Sequence, residues 1–249
     1  MIGRGIGIPF RHVHGTESEI SFDKSLVDAW FMSGYSNDNP PASISGYKGH
    51  ELVLKNFAFT SNSGFGGSVD HSGGNDEGKA ASSYEGSLVF DGVDDYAVCD
   101  NMPIQTDYTV ICRREIINTN NSSAVASKRT YPNDIGSFGA FVIERVTANG
   151  SKALYSFGKD NAVELFNSNQ IIYQSKTAYN DRNIIAGDAS DTNILSLGAN
   201  AYNLSLGRCQ EFSNVAIYYF ALYDKSLTPD EIEQEKIKLN EIWTKRLNG

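Results

Sequence analysis

The hydrophobic pattern is clearest in the C-terminal part of the chain. The run Phe212–Tyr223 is β-branched and aromatic and is apolar at both odd and even positions. Successive side chains of a strand point to opposite faces, so this run predicts a strand that is covered on both sides. A polar turn follows, and then the sequence Thr-Pro-Asp-Glu from Thr228, which predicts a helix that starts with a capping box. Apolar residues recur at helical spacing up to Leu247, so we expect an amphipathic helix that docks on a sheet.

The rest of the chain predicts short strands separated by turns. Leu26–Phe31 is the first convincing strand, and Ser87–Cys99 predicts two short strands around an acidic turn. Residues 60–86 are mostly Gly, Ser, Asn and Asp, with almost nothing to bury, and predict a long loop. Further strand-like runs cover 108–117, 124–127, 138–146, 153–157, 162–166, 171–174, 183–186, 194–197 and 204–206. Many strands and one clear helix predict an all-β fold, an antiparallel sandwich or barrel.

Length and charge narrow the class of protein. The 249 residues suit one large all-β domain or two small ones, and the net charge is −9. The basic residues are scattered and outnumbered, which argues against nucleic acid as a partner. No run reaches membrane-spanning length, so we expect no membrane insertion. The N-terminus has no signal-peptide pattern; if Met1 is the natural start, we expect no export by the general secretory route and assembly in the cytoplasm.

The cysteines do not show the spacing of a metal site, whereas aspartates crowd two turns. The three cysteines, Cys99, Cys112 and Cys209, have no zinc-site spacing and are expected to be buried free thiols; a Cys99–Cys112 bridge between neighbouring strands is the alternative. Asp91, Asp94 and Asp95 crowd one turn, and Asp188 and Asp191 another. Carboxylate oxygens on loops suit Ca²⁺, so the first group is a candidate Ca²⁺ site. The alternative is an ordinary turn, in which Asp91 accepts backbone hydrogen bonds.

Three segments, in order, resemble the LamG-like jelly rolls of the concanavalin A-like lectin and glucanase superfamily. Leu26–Phe31 resembles the opening strand, followed by the turn Gly46–Leu52; Leu88–Tyr96 matches the Phe-Asp-Gly and Asp-Tyr strand pair; and 206–232 matches the closing strand and helix start. Lys48 stands where the family usually has Asn. The resemblance implies an antiparallel two-sheet jelly-roll sandwich over 26–249, with its first and last strands paired. The C-terminal helix would then cover an edge or an outer face.

A second resemblance concerns the setting of the protein. The segments 3–10, 56–59 and 63–67 are similar to uncharacterised phage and prophage proteins of gut bacteria. Together with the missing signal peptide, this implies a virion-associated protein that functions in adhesion or decoration. Residues 1–25 are then expected to form a flexible N-terminal arm that contacts neighbouring phage subunits.

Candidate chemistry favours binding over catalysis. The superfamily's glucanases carry two catalytic carboxylates on one strand, and that Glu-x-Asp-x-(x)-Glu pattern is absent here. Glu115, Glu144 and Glu164 are isolated and are expected on solvated faces. We therefore expect no enzyme but a non-catalytic module that binds a glycan or a surface protein. A glycoside hydrolase or lyase on the same fold, or a purely structural subunit, are the alternatives. The candidate ligand-binding residues are aromatic, amide and carboxylate side chains expected in loops: Tyr35, Asn37, Tyr47, Tyr131, Asn133, Asp134 and Tyr179.

Overall fold

The computed structural model describes most of the chain as short strands followed by a C-terminal helix. The described residues are 20–60, 62–66, 84–103, 108–117, 123–128, 130–131, 142–148, 151–156, 162–165, 171–175, 193–203 and 206–249. Their elements, in chain order, are β1 (Leu26–Phe31), β2 (Ser43–Ser45), β3 (Glu51–Lys55), β4 (Gly64–Phe65), β5 (Leu88–Asp91), β6 (Tyr96–Cys99), β7 (Thr109–Ile116), β8 (Ser123–Ser127), β9 (Thr130–Tyr131), β10 (Val142–Ala148), β11 (Ser151–Ser156), β12 (Ala162–Leu165), β13 (Ile171–Ser175), β14 (Leu195–Leu197), β15 (Ala199–Asn203), β16 (Arg208–Phe212), β17 (Asn214–Tyr223) and α1 (Pro229–Asn248).

Two antiparallel sheets form the two layers of the fold. The first has the order β13-β7-β17-β5-β4, with β1 also paired to β17, and the second has the order β12-β11-β10-β8-β14-β6-β3-β2. A third, small sheet of β16, β15 and β9 packs through Ala199 and Cys209 on the outer face of β6. The antiparallel register of β1 with β17 confirms the predicted pairing of first and last strands. The all-β sandwich with one C-terminal helix is therefore confirmed for the described residues.

The closing strand β17 is buried on both faces, as its continuous apolar run predicts. Phe220 and Leu222 belong to the core between the two sheets, whereas Tyr219, Ala221 and Tyr223 pack on the opposite face. An irregularity in the pairing with β7 lies between Ile217 and Tyr219, and the inward positions change from odd to even across it. Such a bulge inserts one residue and shifts the alternation of faces.

Helix α1 covers the outer face of the β17 and β1 pair. Its capping box is as predicted, with the Glu231 N–H donating to Thr228 and the Thr228 N–H donating to the Glu231 carboxylate. Its apolar stripe, which includes Leu239 and Ile242, packs with Phe31 and Tyr219 of the sheet. Among the residues described, no helix combines the length and apolar composition that crossing a bilayer would need.

Several local predictions need correction. The stretch 60–86 is not one uninterrupted loop, because β4 lies within it and Phe65 and Tyr84 are buried. Of the predicted strand 204–206, Leu206 is in the turn between β15 and β16, and residues 204 and 205 lie outside the described residues. Residues 67–83 and 183–186 lie outside the described residues.

The described chain is already packed against the domain before the first strand. Ile20 and Phe22 are buried in the cluster beneath α1, and the Asp23 N–H donates to the Glu235 carboxylate at 3.2 Å. Of the predicted arm, residues 20–25 thus lie on the domain surface, and residues 1–19 lie outside the described residues.

Candidate functional site

Two of the predicted ligand residues, Tyr35 and Asn37, meet at the edge strand β4. The Asn37 side chain accepts a hydrogen bond from the Phe65 N–H (2.7 Å) and donates one to the Phe65 carbonyl (2.9 Å). The half-buried Tyr35 ring packs on Phe65, with ring centroids 5.1 Å apart. The Asn37 amide therefore forms hydrogen bonds with the backbone of β4 on the side that no strand pairs with. The ligand-binding role of Tyr35 and Asn37 stays a prediction.

The other predicted ligand residues do not join this pair in the described structure. Tyr47 lies on the α1 side of the first sheet, where its hydroxyl donates to the Ile20 carbonyl (2.7 Å) and its ring meets Phe22 edge-on. Tyr131 is in β9, with its backbone paired to Asn203. Three further candidates lie outside the described residues: Asn133, Asp134 and Tyr179.

A row of aromatic rings, which we call the aromatic edge, continues from Tyr35 along the rim of the sandwich. Phe59 stacks on Phe65 with centroids 6.0 Å apart and an interplanar angle of 18°. Phe57 joins Phe59 at 5.9 Å, and its ring also meets Phe90 of the core at 5.1 Å. Tyr35 and Phe59, whose rings both pack on buried Phe65, are each half-buried. The alternation of aromatic residues at 57 and 59 is the sequence signal that could have added Phe59 to the candidates.

Phe59 adopts an uncommon backbone conformation. Its φ is +52°, a region that a bulky side chain rarely enters and that costs on the order of 1–2 kcal/mol. Such strain persists where surrounding contacts hold it, and it concentrates at ligand-binding and active sites. The backbone thus holds the Phe59 ring over Phe65 at this energetic cost.

The acidic turn, residues 91–95, lies between β5 and β6. The Asp91 carboxylate accepts the N–H groups of Val93 (2.7 Å) and Asp94 (3.4 Å). Gly92, with φ of +79°, turns the chain against Asn214; a Cβ here would lie 3.0 Å from the Asn214 backbone nitrogen. One carboxylate oxygen from each of Asp91, Asp94 and Asp95 lies within 4.8 Å of the other two.

Asp95 is the buried member of this group. Its Oδ2 accepts the Asp91 N–H at 3.0 Å, whereas its buried Oδ1 has no hydrogen-bond partner in the described structure. The pKa of Asp95 is raised to about 6, chiefly by burial and also by the charges of Asp91 and Asp94, while Ser63 and the Asp91 N–H act to lower it. The surroundings of Asp95 thus favour the neutral, protonated form of its carboxyl group over the charged form.

The loop 56–63 connects the acidic turn to the aromatic edge. The Asn56 side chain donates to the Asp94 carbonyl at 3.0 Å. The Ser63 hydroxyl accepts the Ala58 N–H at 2.8 Å, and its proximity to Asp95 lowers the pKa of that carboxyl. The two features are therefore parts of one surface.

A buried carboxylate that the sequence analysis did not identify organises the turn after β2. Asp28 is fully buried and accepts the N–H groups of Ala29 (2.7 Å), Lys48 (2.7 Å) and His50 (2.8 Å), with the His50 ring Nδ1 at 2.9 Å. Gly46 packs directly on this carboxylate, since a Cβ there would lie 2.4 Å from the Asp28 Cγ. The Trp30 indole N–H also donates a hydrogen bond to the His50 carbonyl, in the same cluster.

The three thiols and the Glu115 carboxylate are buried in the described structure. Cys99, Cys112 and Cys209 are free and buried, as predicted, and burial raises the pKa of each thiol to about 12. The expectation that Glu115 faces solvent is wrong, because it is 9% exposed and near the Tyr218 hydroxyl. On the same strand, the Arg113 guanidinium lies over two aromatic rings. Its Cζ is 4.9 Å from the Tyr218 ring centroid and 4.3 Å from that of Trp243, a residue of α1.

Comparisons with known proteins return distant structural similarities. No protein-family model matches the chain, and no curated protein matches it significantly. Trypanosoma rangeli sialidase in complex with sialic acid is 12% identical with a TM-score of 0.43, covering 88% of this chain and 33% of the sialidase. A mutant of that sialidase displaying trans-sialidase activity has a TM-score of 0.42 at the same identity and coverage.

A botulinum neurotoxin type C structure is 7% identical with a TM-score of 0.45, covering 86% of this chain and 51% of the toxin chain. Cell entry of that toxin depends on interaction with two ganglioside molecules. The chain thus spans about a third of the sialidases and about half of the toxin chain. At these identities and TM-scores the similarities assign no activity to this chain.

Proposed function

We propose that the protein is a non-catalytic glycan-binding module of the LamG-like type and that the aromatic edge is its sugar-binding surface. The observation that carries the proposal is the pair of half-buried rings, Tyr35 and Phe59, that both pack on Phe65 of the edge strand β4. Pyranose rings have an apolar face that packs on aromatic rings, and their hydroxyl groups hydrogen-bond to carboxylates and amides.

The adjoining polar groups suit such a ligand. The exposed Asp94 and the half-buried Asp91 present carboxylates beside the loop that carries Phe59. Asn37 has both ends of its amide on the Phe65 backbone, but an amide carries one further N–H and one further lone pair for a ligand. The surface therefore combines apolar rings with hydrogen-bonding groups. Binding a sugar at such a surface does not require a pair of catalytic carboxylates.

The register of the second sheet supports binding without hydrolysis. Glu144 of β10 pairs with Tyr155 of β11, and Glu164 of β12 pairs with Leu154 of the same strand. Neighbouring positions of a strand belong to opposite faces, so these two glutamate positions lie on opposite faces of the sheet. A retaining glycosidase needs two carboxyl groups about 5 Å apart on either side of one glycosidic bond. The backbone register therefore favours a non-catalytic role over a retaining pair at these two positions.

A glycan array with the purified full chain tests the proposal, followed by titration with the oligosaccharide that binds most strongly. We expect Phe59→Ala to weaken that binding about fivefold, since one aromatic contact contributes on the order of 1 kcal/mol. Ile237→Ala, which removes an exposed apolar side chain from α1, is the matched control and should bind as the wild type does. Thermal unfolding of both variants separates loss of the ring from loss of the fold. No retained sugar on the array, or equal affinity of Phe59→Ala and wild type, would contradict the proposal.

Catalysis is tested separately. Incubation with β-glucans or capsule oligosaccharides should release no new reducing ends and no unsaturated products. Turnover that is abolished by Glu144→Gln or Glu164→Gln would instead establish an enzyme.

We further propose that the module functions in adhesion or decoration of a phage or prophage particle. The support is the sequence resemblance of segments 3–10, 56–59 and 63–67 to phage and prophage proteins. The segment 56–59 includes two rings of the aromatic edge, so the resemblance and the proposed sugar surface coincide there. An antibody against the protein should label particles that sediment from an induced lysate of the source bacterium. Detection only in the unsedimented fraction would contradict a particle role.

A further inference from the structure

The backbone on both sides of Phe59 is held by one residue, Ser63. The Ser63 hydroxyl accepts the N–H of Ala58, the residue before Phe59, at 2.8 Å. The Ser63 backbone pairs with Thr60, the residue after Phe59: the Thr60 N–H donates to the Ser63 carbonyl at 2.8 Å, and the Ser63 N–H donates to the Thr60 carbonyl at 3.3 Å. Phe59, with φ of +52°, has a conformation that a bulky residue disfavours. Ser63 therefore stabilises a conformation that Phe59 would not keep without it.

Ser63 in turn lies close to a fully buried carboxyl group. Asp95 is inaccessible to solvent, and its Oδ2 accepts the Asp91 N–H at 3.0 Å. Its Oδ1 has no hydrogen-bond partner among the described residues. A buried charged oxygen without a partner is costly, whereas a protonated carboxyl group carries no charge and can use one oxygen as a donor. The packing over Asp95 therefore disfavours its charged form.

The charges around Asp95 act in the same direction. Burial, the largest cause, and the charges of Asp91 and Asp94 raise the pKa of Asp95 from 3.8 to about 6, against the opposing effects of Ser63 and the Asp91 N–H. The group of the loop 56–63 that acts on Asp95 is thus the uncharged Ser63. Among the residues described, Lys55 of the neighbouring strand β3 forms no salt bridge with the turn. Asp95 therefore changes its charge near pH 6 while the loop is packed over it.

We propose that Ser63 is a positioning residue for the Phe59 ring and that the aromatic edge binds its sugar more tightly when Asp95 is protonated than when it is charged. This inference rests on the proposed function of the aromatic edge. Packing over Asp95 disfavours its charge, so by linkage the charge favours states in which the loop has moved and Asp95 is hydrated. Release of Ser63 also relieves the strain at Phe59, which favours the same states. Ser63 and Asp95 thus act on the sugar through Phe59.

Sugar affinity as a function of pH tests the proposal, with the full chain in EDTA and the oligosaccharide selected on the array. From pH 5 to pH 8 we expect the wild-type Kd to rise about tenfold, within the limit of about a hundredfold set by the rise in pKa from 3.8 to about 6. Asp95→Asn is neutral at every pH and should lack that rise. Asp100→Asn, an exposed aspartate just after β6, is the matched control and should keep the wild-type profile. The same pH profile in Asp95→Asn and wild type would overturn the proposal.

The positioning role of Ser63 has its own variant. Ser63→Ala removes the acceptor of the Ala58 N–H, and we expect it to weaken sugar binding about fivefold at pH 5, the loss expected for the Phe59 contact itself. Wild-type affinity of Ser63→Ala would show that Ser63 does not position the ring.

Hydrogen exchange of the Ala58 amide tests the coupling without any sugar. This N–H donates to Ser63, so its protection reports whether the loop is held. We expect its protection factor to fall about tenfold from pH 5 to pH 8 in the wild type and to stay constant in Asp95→Asn. A constant protection factor in the wild type would overturn the proposal, and this measurement decides even where Asp95→Asn does not fold.

The two proposals fail in different ways. If the array retains no sugar, the proposed function fails, and exchange of the Ala58 amide still shows whether Asp95 controls the loop. If sugar binds with the same pH profile in wild type and Asp95→Asn, the proposed function stands and the present inference fails.

Discussion

Replacing Asp28 by asparagine removes a buried charge around which the turn at 46–50 is built. In the folded protein, Oδ1 accepts the N–H groups of Ala29 and Lys48, while Oδ2 accepts the His50 N–H and faces its ring Nδ1. Asparagine keeps one of these oxygens and puts an NH₂ group in place of the other. An NH₂ group in place of Oδ1 deprives the N–H groups of Ala29 and Lys48 of their acceptor. In place of Oδ2 it deprives the His50 N–H of its acceptor, whereas the ring Nδ1 can accept from the amide in one of its two tautomers. One or two bonds are therefore lost.

The expected destabilisation follows from the lost bonds. A hydrogen bond to a charged group contributes about 1.5–3 kcal/mol, so one or two contribute about 1.5–6 kcal/mol. The neutral amide is easier to bury than the carboxylate, which offsets part of this loss. We therefore expect Asp28→Asn to lower the free energy of unfolding by about 2–4 kcal/mol, a large fraction of the roughly 5–15 kcal/mol typical of a domain.

Equilibrium urea denaturation followed by tryptophan fluorescence measures this change. Trp30 reports on the same cluster, since its indole N–H donates to the His50 carbonyl at 2.9 Å. Asp38→Asn, at an exposed position, is the matched control and should lie within about 0.5 kcal/mol of wild type. Gly46→Ala should destabilise as Asp28→Asn does, because the new Cβ would lie 2.4 Å from the Asp28 Cγ. An Asp28→Asn protein within about 0.5 kcal/mol of wild type, the range of an ordinary surface substitution, would refute the assigned role of the carboxylate.

Three further predictions concern the thiols and the helix start. The native protein should not react with a thiol-specific disulfide reagent at pH 8, because burial raises the pKa of all three thiols to about 12, whereas the urea-unfolded chain should expose three reactive groups; rapid labelling of a native thiol would contradict this. Thr228→Ala should lower the free energy of unfolding by about 1 kcal/mol, and Thr228→Ser should keep it, since serine preserves the cap; equal stability of both variants would count against the capping box. The Lys225 hydrogen bond lowers the pKa of Glu231, so this contribution to stability is present above the ordinary glutamate pKa and is lost as the pH falls through the lowered value. An NMR titration should show the Glu231 pKa rising toward its ordinary range in Lys225→Gln, and an unchanged pKa would show that Lys225 is not the cause.

The candidate site was predictable in part. The acidic turn is a local feature, because Asp91, Asp94 and Asp95 are close in sequence and the single turn between β5 and β6 brings their carboxylates together. Tyr35 and Asn37 were identified as loop residues of the right chemical type, and the structure places both against Phe65. Phe59 was missed, because its partner lies in a short edge strand inside a stretch that reads as loop.

The sequence by itself determined the elements whose signals are local. The apolar run of β17 and the capping box at Thr228 predict a two-faced strand and a docked helix, because face alternation and end-capping depend on neighbours a few residues apart.

Only the tertiary structure decided which distant residues share a site. Asp28 receives its donors from the turn about twenty residues later in the chain, and Asp95 lies beside Ser63. Whether a carboxylate is solvated, saturated with donors or left with an unpartnered oxygen depends on which segments pack over it. Long-range packing sets that environment, and no pattern of neighbouring residues encodes it.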